Sequence, residues 1–408
     1  MTKQILHIAI PSLNEADYLP KTIECLKKQI HSNFHIWVCV NQPNDWWTNK
    51  DKGNICINNE STLQYLGAIK QQLPNLTIID KSSKGNGWIG KNHGVGFARK
   101  TLMDEICKHA DDNDIIVSMD ADVEVGSNYL SSVAELFKNN PKAVALANPY
   151  YHKLSGEEAL DRPMLRYEIY MRAYTINLLR INSPYAFTAF GSVISLPVWA
   201  YKKIRGITPK TSGEDFYLLQ KLRKMGKILL YNEEIVYPAT RVSDRVPFGT
   251  GPAIAKSIQS QQASYPIFYT AYFDEIAETY RLFNDLFYSD IKTPMTDFLS
   301  SVFKSDDIFT PLRNNYKTLN QFINACHNKI DGLRIFQYLK CRSLQCDYSD
   351  YDAIKELLIL LNAEFDDNFS FITSPIEKLN ELRNLLYRAE GEMRKQKFDF
   401  QGDLETIL

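Results

Sequence analysis

Between residues 4 and 147 the chain switches repeatedly between two hydrophobic periods, and this limits the folds open to it. Short apolar runs at residues 4–10, 34–40, 76–79 and 115–119 read as strands buried in a sheet. Between them apolar residues recur at helical spacing, as Leu19, Ile23, Leu26 and Ile30 do, and helices are expected around 60–73, across 92–109 and near 128–139. Residues 143–147 and 191–196 add shorter strands. Such alternation predicts an α/β fold with a mostly parallel sheet flanked by helices, which binds ligands beyond the carboxyl ends of its strands. It fades after about residue 255, and stripes such as Leu282, Leu286 and later Leu357, Leu361 predict a mostly α-helical C-terminal domain. We therefore expect domains at 1–255 and 265–408, which a 408-residue chain with 44% hydrophobic residues can support.

The strand at 115–119 leads into Asp120-Ala121-Asp122. If extended geometry persists through Ala121, both carboxylates point the same way and repel each other unless a cation compensates. Hard divalent cations take oxygen ligands and bridge carboxylates to phosphates, which suggests a metal and diphosphate site. A solvated acidic loop is the competing reading. Upstream, residues 84–92 satisfy two glycine patterns at once. Gly85, Gly87 and Gly90 fit the dinucleotide fingerprint, while Gly85, Gly90 and Lys91 fit a phosphate loop. The first follows a third strand rather than an opening one, and the second has Asn92 where Ser or Thr should hold magnesium.

A third reading unites these features. Residues 1–250 resemble the family 2 glycosyltransferases, enzymes of the GT-A fold. Pro11-Ser-Leu-Asn14-Glu15 ends the opening strand, Gly90-Lys91-Asn92-His-Gly94 precedes a helix, Asp120-Ala121-Asp122 follows an apolar strand, and Gly213-Glu214-Asp215 opens a helix. These four motifs stand in that family's order. The resemblance implies transfer of a sugar from a nucleotide-diphosphate donor, UDP- or GDP-linked, to a hydroxyl on a glycan or lipid-linked saccharide, with inversion at the anomeric carbon. It implies Asp122 as a ligand of Mn²⁺ or Mg²⁺, with Asp120 on the ribose or on the metal through water. Asp215 is the implied general base with Glu214 in reserve, although Ser212-x-x-Asp215 also fits a capping box. Pro11, Asn14, Glu15, Asn41, Lys91, Asn92 and Ala121 would contact the nucleotide sugar. Asn41 stands where the family commonly has an aspartate that reads the base, so the base stays open. The processive synthases' Gln-x-x-Arg-Trp signature is absent, and the resemblance stops short of residues 270–408.

Arg241 and Arg245, followed by Phe248-Gly-Thr-Gly251, suit either a lid over a diphosphate or a plain boundary loop. The helix expected over 157–181 carries Arg162, Arg166, Arg172 and Arg180 among tyrosines, and reads as an amphipathic packing helix with a solvated face. A net charge of −1 argues against nucleic acid as a partner. With no leader-like start, no run of 18 apolar residues and seven scattered cysteines, a cytoplasmic protein is expected, with peripheral membrane contact left open. Two rival functions remain: a phosphate-loop NTPase, and a non-catalytic nucleotide-sugar-binding scaffold.

Overall fold

The computed structural model describes residues 4–211, 213–241, 265–345 and 348–407. The chain forms two compact units, Met1–Met164 with Phe187–Gln261, and Leu165–Ala186 with Gln262–Leu408.

The first unit is built on a seven-stranded sheet. Its first four strands, β1 (Leu6–Ser12), β2 (Phe34–Asn41), β3 (Leu76–Lys81) and β4 (Ile115–Ser118), alternate with helices α1 (Leu19–Lys27), α2 (Gly53–Ile69) and α3 (Val95–His109). With β6 (Ala145–Ala147), β7 (Ile194–Pro197) and β8 (Ile228–Leu229), the order is β3-β2-β1-β4-β7-β6-β8. Strands β1 to β4 pair in parallel, β6 pairs in parallel with β8, and β7 runs antiparallel to β4 and β6. All seven residues of β1 are buried, as expected of a strand covered on both faces. Pro11 is tolerated in it because β4 pairs only as far as Ala9, so Pro11 has a neighbour on the β2 side alone. The mostly parallel, helix-flanked sheet is the GT-A arrangement expected from the sequence.

A second, two-stranded antiparallel sheet joins β5 (Val123–Val125) to β9 (Val236–Pro238). It starts one residue after Asp122 and brings the chain near residue 240 back to the end of β4. Helices α4 (Tyr129–Asn139), α6 (Val198–Lys203) and α7 (Glu214–Met225) complete this unit with the start of α5 (Glu158–Arg180).

The second unit is helical: the rest of α5, then α8 (Thr270–Arg281), α9 (Phe283–Leu286), α10 (Thr296–Phe303), α11 (Thr310–Asn315), α12 (Leu319–Lys329), α13 (Gly332–Ser343), α14 (Asp350–Leu360) and α15 (Ile376–Ile407). Side chains close several helix starts. Thr318 accepts from Gln321, Asp331 from Arg334, and Ser349 with Asp352 forms a capping box. The solvated arginine face expected for α5 is only partly present. Arg172 is buried, donating from Nε to Glu168 at 3.0 Å and from Nη1 to Glu390 at 2.6 Å. Arg383 and Arg394, also buried, pair with Glu168 and Glu390 respectively. Helical periodicity places these arginines on a helix but does not reveal acids more than 200 residues away that let them be buried. Among the described residues, no helix is long and apolar enough to cross a membrane.

Candidate active site

Strand β4 stops at Ser118, and the chain turns at Ala121 and Asp122 before β5 begins. The extended geometry that would have aimed both carboxylates one way therefore does not persist. Each acid faces a different arginine instead. Arg99, on α3, is 3% exposed and donates from Nη1 to Ser118 Oγ at 2.6 Å, from Nη2 to Asp120, and from Nε to Glu214 Oε1 at 2.9 Å. Burial alone would lower its pKa, but the charges of Asp120, Glu214 and Asp215 outweigh burial and raise it, so the guanidinium stays charged. Arg241, beyond β9, donates from Nε to Asp122 Oδ2 at 2.8 Å and from Nη2 to Glu15 Oε1 at 2.6 Å, and lies 4.2 Å from the Tyr18 ring centre.

The β4–β5 turn is fastened from both sides. Thr22 Oγ1 lies 2.9 Å from the carbonyls of both Ala121 and Val123, and Ala239 N–H donates to the Asp122 carbonyl at 3.1 Å. Glu214 and Asp215 open α7, behind Gly213 in a left-handed conformation. Glu214 is buried against Arg99, whereas Asp215 accepts at Oδ1 from the Phe216 N–H at 2.7 Å. Burial, and then the neighbouring Glu214, push Asp215 up to about 7, even though Arg99 pulls the other way. A carboxyl poised there can take or hold a proton near neutral pH.

The β1 motif is anchored through α2. Asn14 adopts a left-handed φ of +59°, which asparagine tolerates, and its N–H donates to Asn59 Oδ1 at 2.8 Å. Glu15's carbonyl accepts from Tyr18 and Leu19 to start α1. Asn59 also donates to Gln42 Oε1, and Asn41 donates to the Ser12 carbonyl while accepting from Trp88 Nε1 at 3.3 Å. Pro11, Asn14, Glu15 and Asn41 therefore line up at the carboxyl ends of β1 and β2, where such sheets hold ligands.

The glycine-rich loop works differently from either phosphate pattern. A Cβ on Gly87 would sit 2.8 Å from Asn44 Cα, so this glycine lets the loop pack on residues 42–44. Trp88 N–H donates to the Gln42 carbonyl at 2.9 Å and fixes that approach. Asp80 ties the loop's start by accepting from the Ser82 and Ser83 N–H groups and from Asn86. Burial opposes its charge, but these hydrogen bonds prevail and lower it to about 2. Lys91 and Asn92 are exposed, and α3 begins only at Val95, so Gly90-Lys91 does not open a helix as a phosphate loop requires.

Arg99, Glu15, Asp122 and Arg241 are thus joined in two clusters, and Asp120 with Glu214 in the first of these. Arg99 was missed from sequence. Its signal was a charged residue among Ala98, Leu102, Met103 and Ile106, on the apolar face of α3. Ser212, Arg245 and residues 248–251 lie outside the described residues.

Among the described residues, no three His, Cys, Asp or Glu side chains stand together as a complete metal cage. The carboxylates do fit a cation held jointly with phosphate. Asp120 and Asp122 offer oxygen donors of the kind Mg²⁺ and Mn²⁺ take, each now engaged by an arginine, so diphosphate and water would have to complete the shell.

The sheet order is that of the GT-A fold, with acids at the end of β4 and at the start of α7. Residues 7–194 match the family described as Glycosyl transferase family 2. Similar solved structures include S. aureus TarS 1-349 in complex with UDP-GlcNAc, at 14% identity over 89% of this chain and 94% of that one, with a TM-score of 0.43. A second is the mannosyltransferase PcManGT from Pyrobaculum calidifontis in complex with GDP-Man and Mn²⁺, at 12% identity over 96% and 88%, with a TM-score of 0.38. No curated protein matches the chain in sequence.

Proposed function

We propose that this chain transfers a sugar from a UDP- or GDP-linked donor to a hydroxyl of a glycan or lipid-linked saccharide, with inversion at the anomeric carbon. The observation that carries this reading is the shared guanidinium of Arg99, which brings Asp120 from the end of β4 beside Glu214 and Asp215 at the start of α7. Diphosphate-side and acceptor-side groups then lie next to one another, as in-line displacement requires. Asp215 takes the acceptor's proton as the acceptor oxygen bonds to the anomeric carbon. The bond from that carbon to the diphosphate breaks, and its electron pair leaves with the diphosphate. Its raised pKa near 7 suits this role at neutral pH.

Asp122, with Asp120 beside it, would hold Mn²⁺ or Mg²⁺, which when bound neutralises charge on the leaving diphosphate. Pro11, Asn14, Glu15 and Asn41 would seat the nucleoside, Ala121 would approach the donor through its backbone, and Lys91 and Asn92 would reach from the exposed turn. Arg241, and Arg245 with it, would face the diphosphate. The catalytic machinery is proposed to lie within residues 1–255, with 265–408 as a helical domain serving acceptor or partner. The unbridged Cys25, Cys39, Cys56, Cys107, Cys326 and Cys341 suit a cytoplasmic setting.

Thermal shift with UDP, GDP, CMP, dTDP and ATP, each with and without Mn²⁺, tests the donor side. A Mn²⁺-dependent rise with one nucleoside diphosphate, followed by release of that diphosphate from its sugar conjugate, is expected. A rise with ATP alone would favour the NTPase. Binding without any turnover would leave a scaffold.

A further inference from the structure

Glu214 and Asp215 are adjacent acids at one helix start, and the family resemblance alone puts Asp215 ahead of Glu214 as base. The structure treats them unequally. Glu214 is 3% exposed and its Oε1 accepts from Arg99 Nε, while the same guanidinium holds Asp120 and Ser118. The Asp215 hydrogen bond comes from the backbone N–H that follows it. The guanidinium is itself confined: a Cβ on Gly191 would lie 2.0 Å from Nη2, so only a glycine lets it rest there. Three strands of evidence therefore converge on Arg99: a fully engaged fork, a buried site and a backbone shaped around it.

We propose that Arg99 is a positioning residue for sugar transfer, holding Asp120 and Glu214 on one guanidinium so that Asp215 alone of the acidic pair receives the acceptor's proton. The proposal rests on the transfer reading above. A planar fork is needed, because an ammonium cannot hold two carboxylates and a hydroxyl in one plane.

Kinetics of the full chain test this, with release of the nucleoside diphosphate as the readout. Arg99→Lys and Gly191→Ala, the latter displacing the fork without removing its charge, should each lower kcat about tenfold or more and leave KM for the nucleotide sugar within about threefold, in chains that keep native far-UV circular dichroism. Glu214→Gln, which keeps an oxygen for Arg99 Nε, should retain most of kcat, whereas Asp215→Asn should lose it. Native kcat in both Arg99→Lys and Gly191→Ala overturns the proposal, as does a loss in Glu214→Gln as large as in Asp215→Asn. A native chain that releases no diphosphate from any nucleotide sugar overturns the transfer reading, and the proposal falls with it.

Discussion

Arg241 Nε lies 2.8 Å from Asp122 Oδ2, so the second acid of Asp-x-Asp is matched by a cation from 119 residues further along the chain. The same guanidinium reaches Glu15, so its loss removes one cation from two buried or half-buried carboxylates. Arg241→Ala should therefore lower the melting temperature and weaken nucleotide binding about tenfold. It should also gain more from Mn²⁺ than the native chain does, because a divalent ion replaces the lost charge. Equal Mn²⁺-induced shifts in the two proteins would show that Asp122 does not need the arginine as its counter-charge.

Asp215→Asn should fold, bind nucleotide and lose transfer by a factor of about 10² to 10⁴, the usual worth of a general base. In the native chain kcat/KM should rise as pH climbs through about 7 and then level off, because the base must be ionised.

The same raised pKa gives a stability prediction of opposite sign. In the unfolded chain an aspartate loses its proton near 4, so between about 4 and 7 the folded state binds more protons, and stability falls as pH rises. At pH 8 Asp215→Asn should be more stable than the native chain, by an amount on the order of a few kcal/mol. The gain should shrink steadily as pH falls toward 4. Urea unfolding at pH 5 and pH 8 measures both.

Gly87→Ala places a methyl group 2.8 Å from the backbone of Asn44, and neither segment can retreat without breaking the Trp88–Gln42 hydrogen bond. A loss of about 1–3 kcal/mol is expected from such overpacking. Gly67, exposed within α2 with nothing near its missing Cβ, is the contrast. Gly67→Ala should stabilise by about 0.5–1 kcal/mol. Thermal melts of the two variants, side by side, distinguish the two kinds of glycine.

In the helical unit, Arg172→Met removes a buried cation, but Glu168 keeps Arg383 and Glu390 keeps Arg394. The cost should therefore sit near the low end for a broken buried pair, about 3 kcal/mol in urea unfolding. Glu390→Gln combined with Arg172→Met should cost less than the sum of the two single changes.

Elements with one clear period were legible in the sequence. The helix over 157–181 runs Glu158–Arg180, and the one near 128–139 runs Tyr129–Asn139. Helix α2 begins at Gly53, well before the expected residue 60; Asn54, Asn58 and Asn59 are poor helix formers that hide this start in the sequence, and contacts hold the last two in place. Asn59 and Asn58 point into the site, accepting from the Asn14 and Ala16 N–H groups. Sequence periodicity carries no strand direction, so the antiparallel insertion of β7 beside β4 could not be read. Motif order located the acids of the candidate site. It could not reveal which acids Arg99 and Arg241 pair with, since ion pairs 21 to 226 residues apart leave no local spacing to recognise.

The turn at Ala121 makes Asp-x-Asp an articulated joint. Asp120 moves with β4 and the large sheet, while Asp122 is fastened through its carbonyl to Ala239 at the edge of the β5–β9 ribbon. The gap between the two carboxylates is consequently set by how the ribbon and Thr22 hold the turn against the sheet rather than by the pleat of one strand. A change far from either acid, in the few residues that seat β9 against β5, could widen or narrow the jaws without touching their teeth.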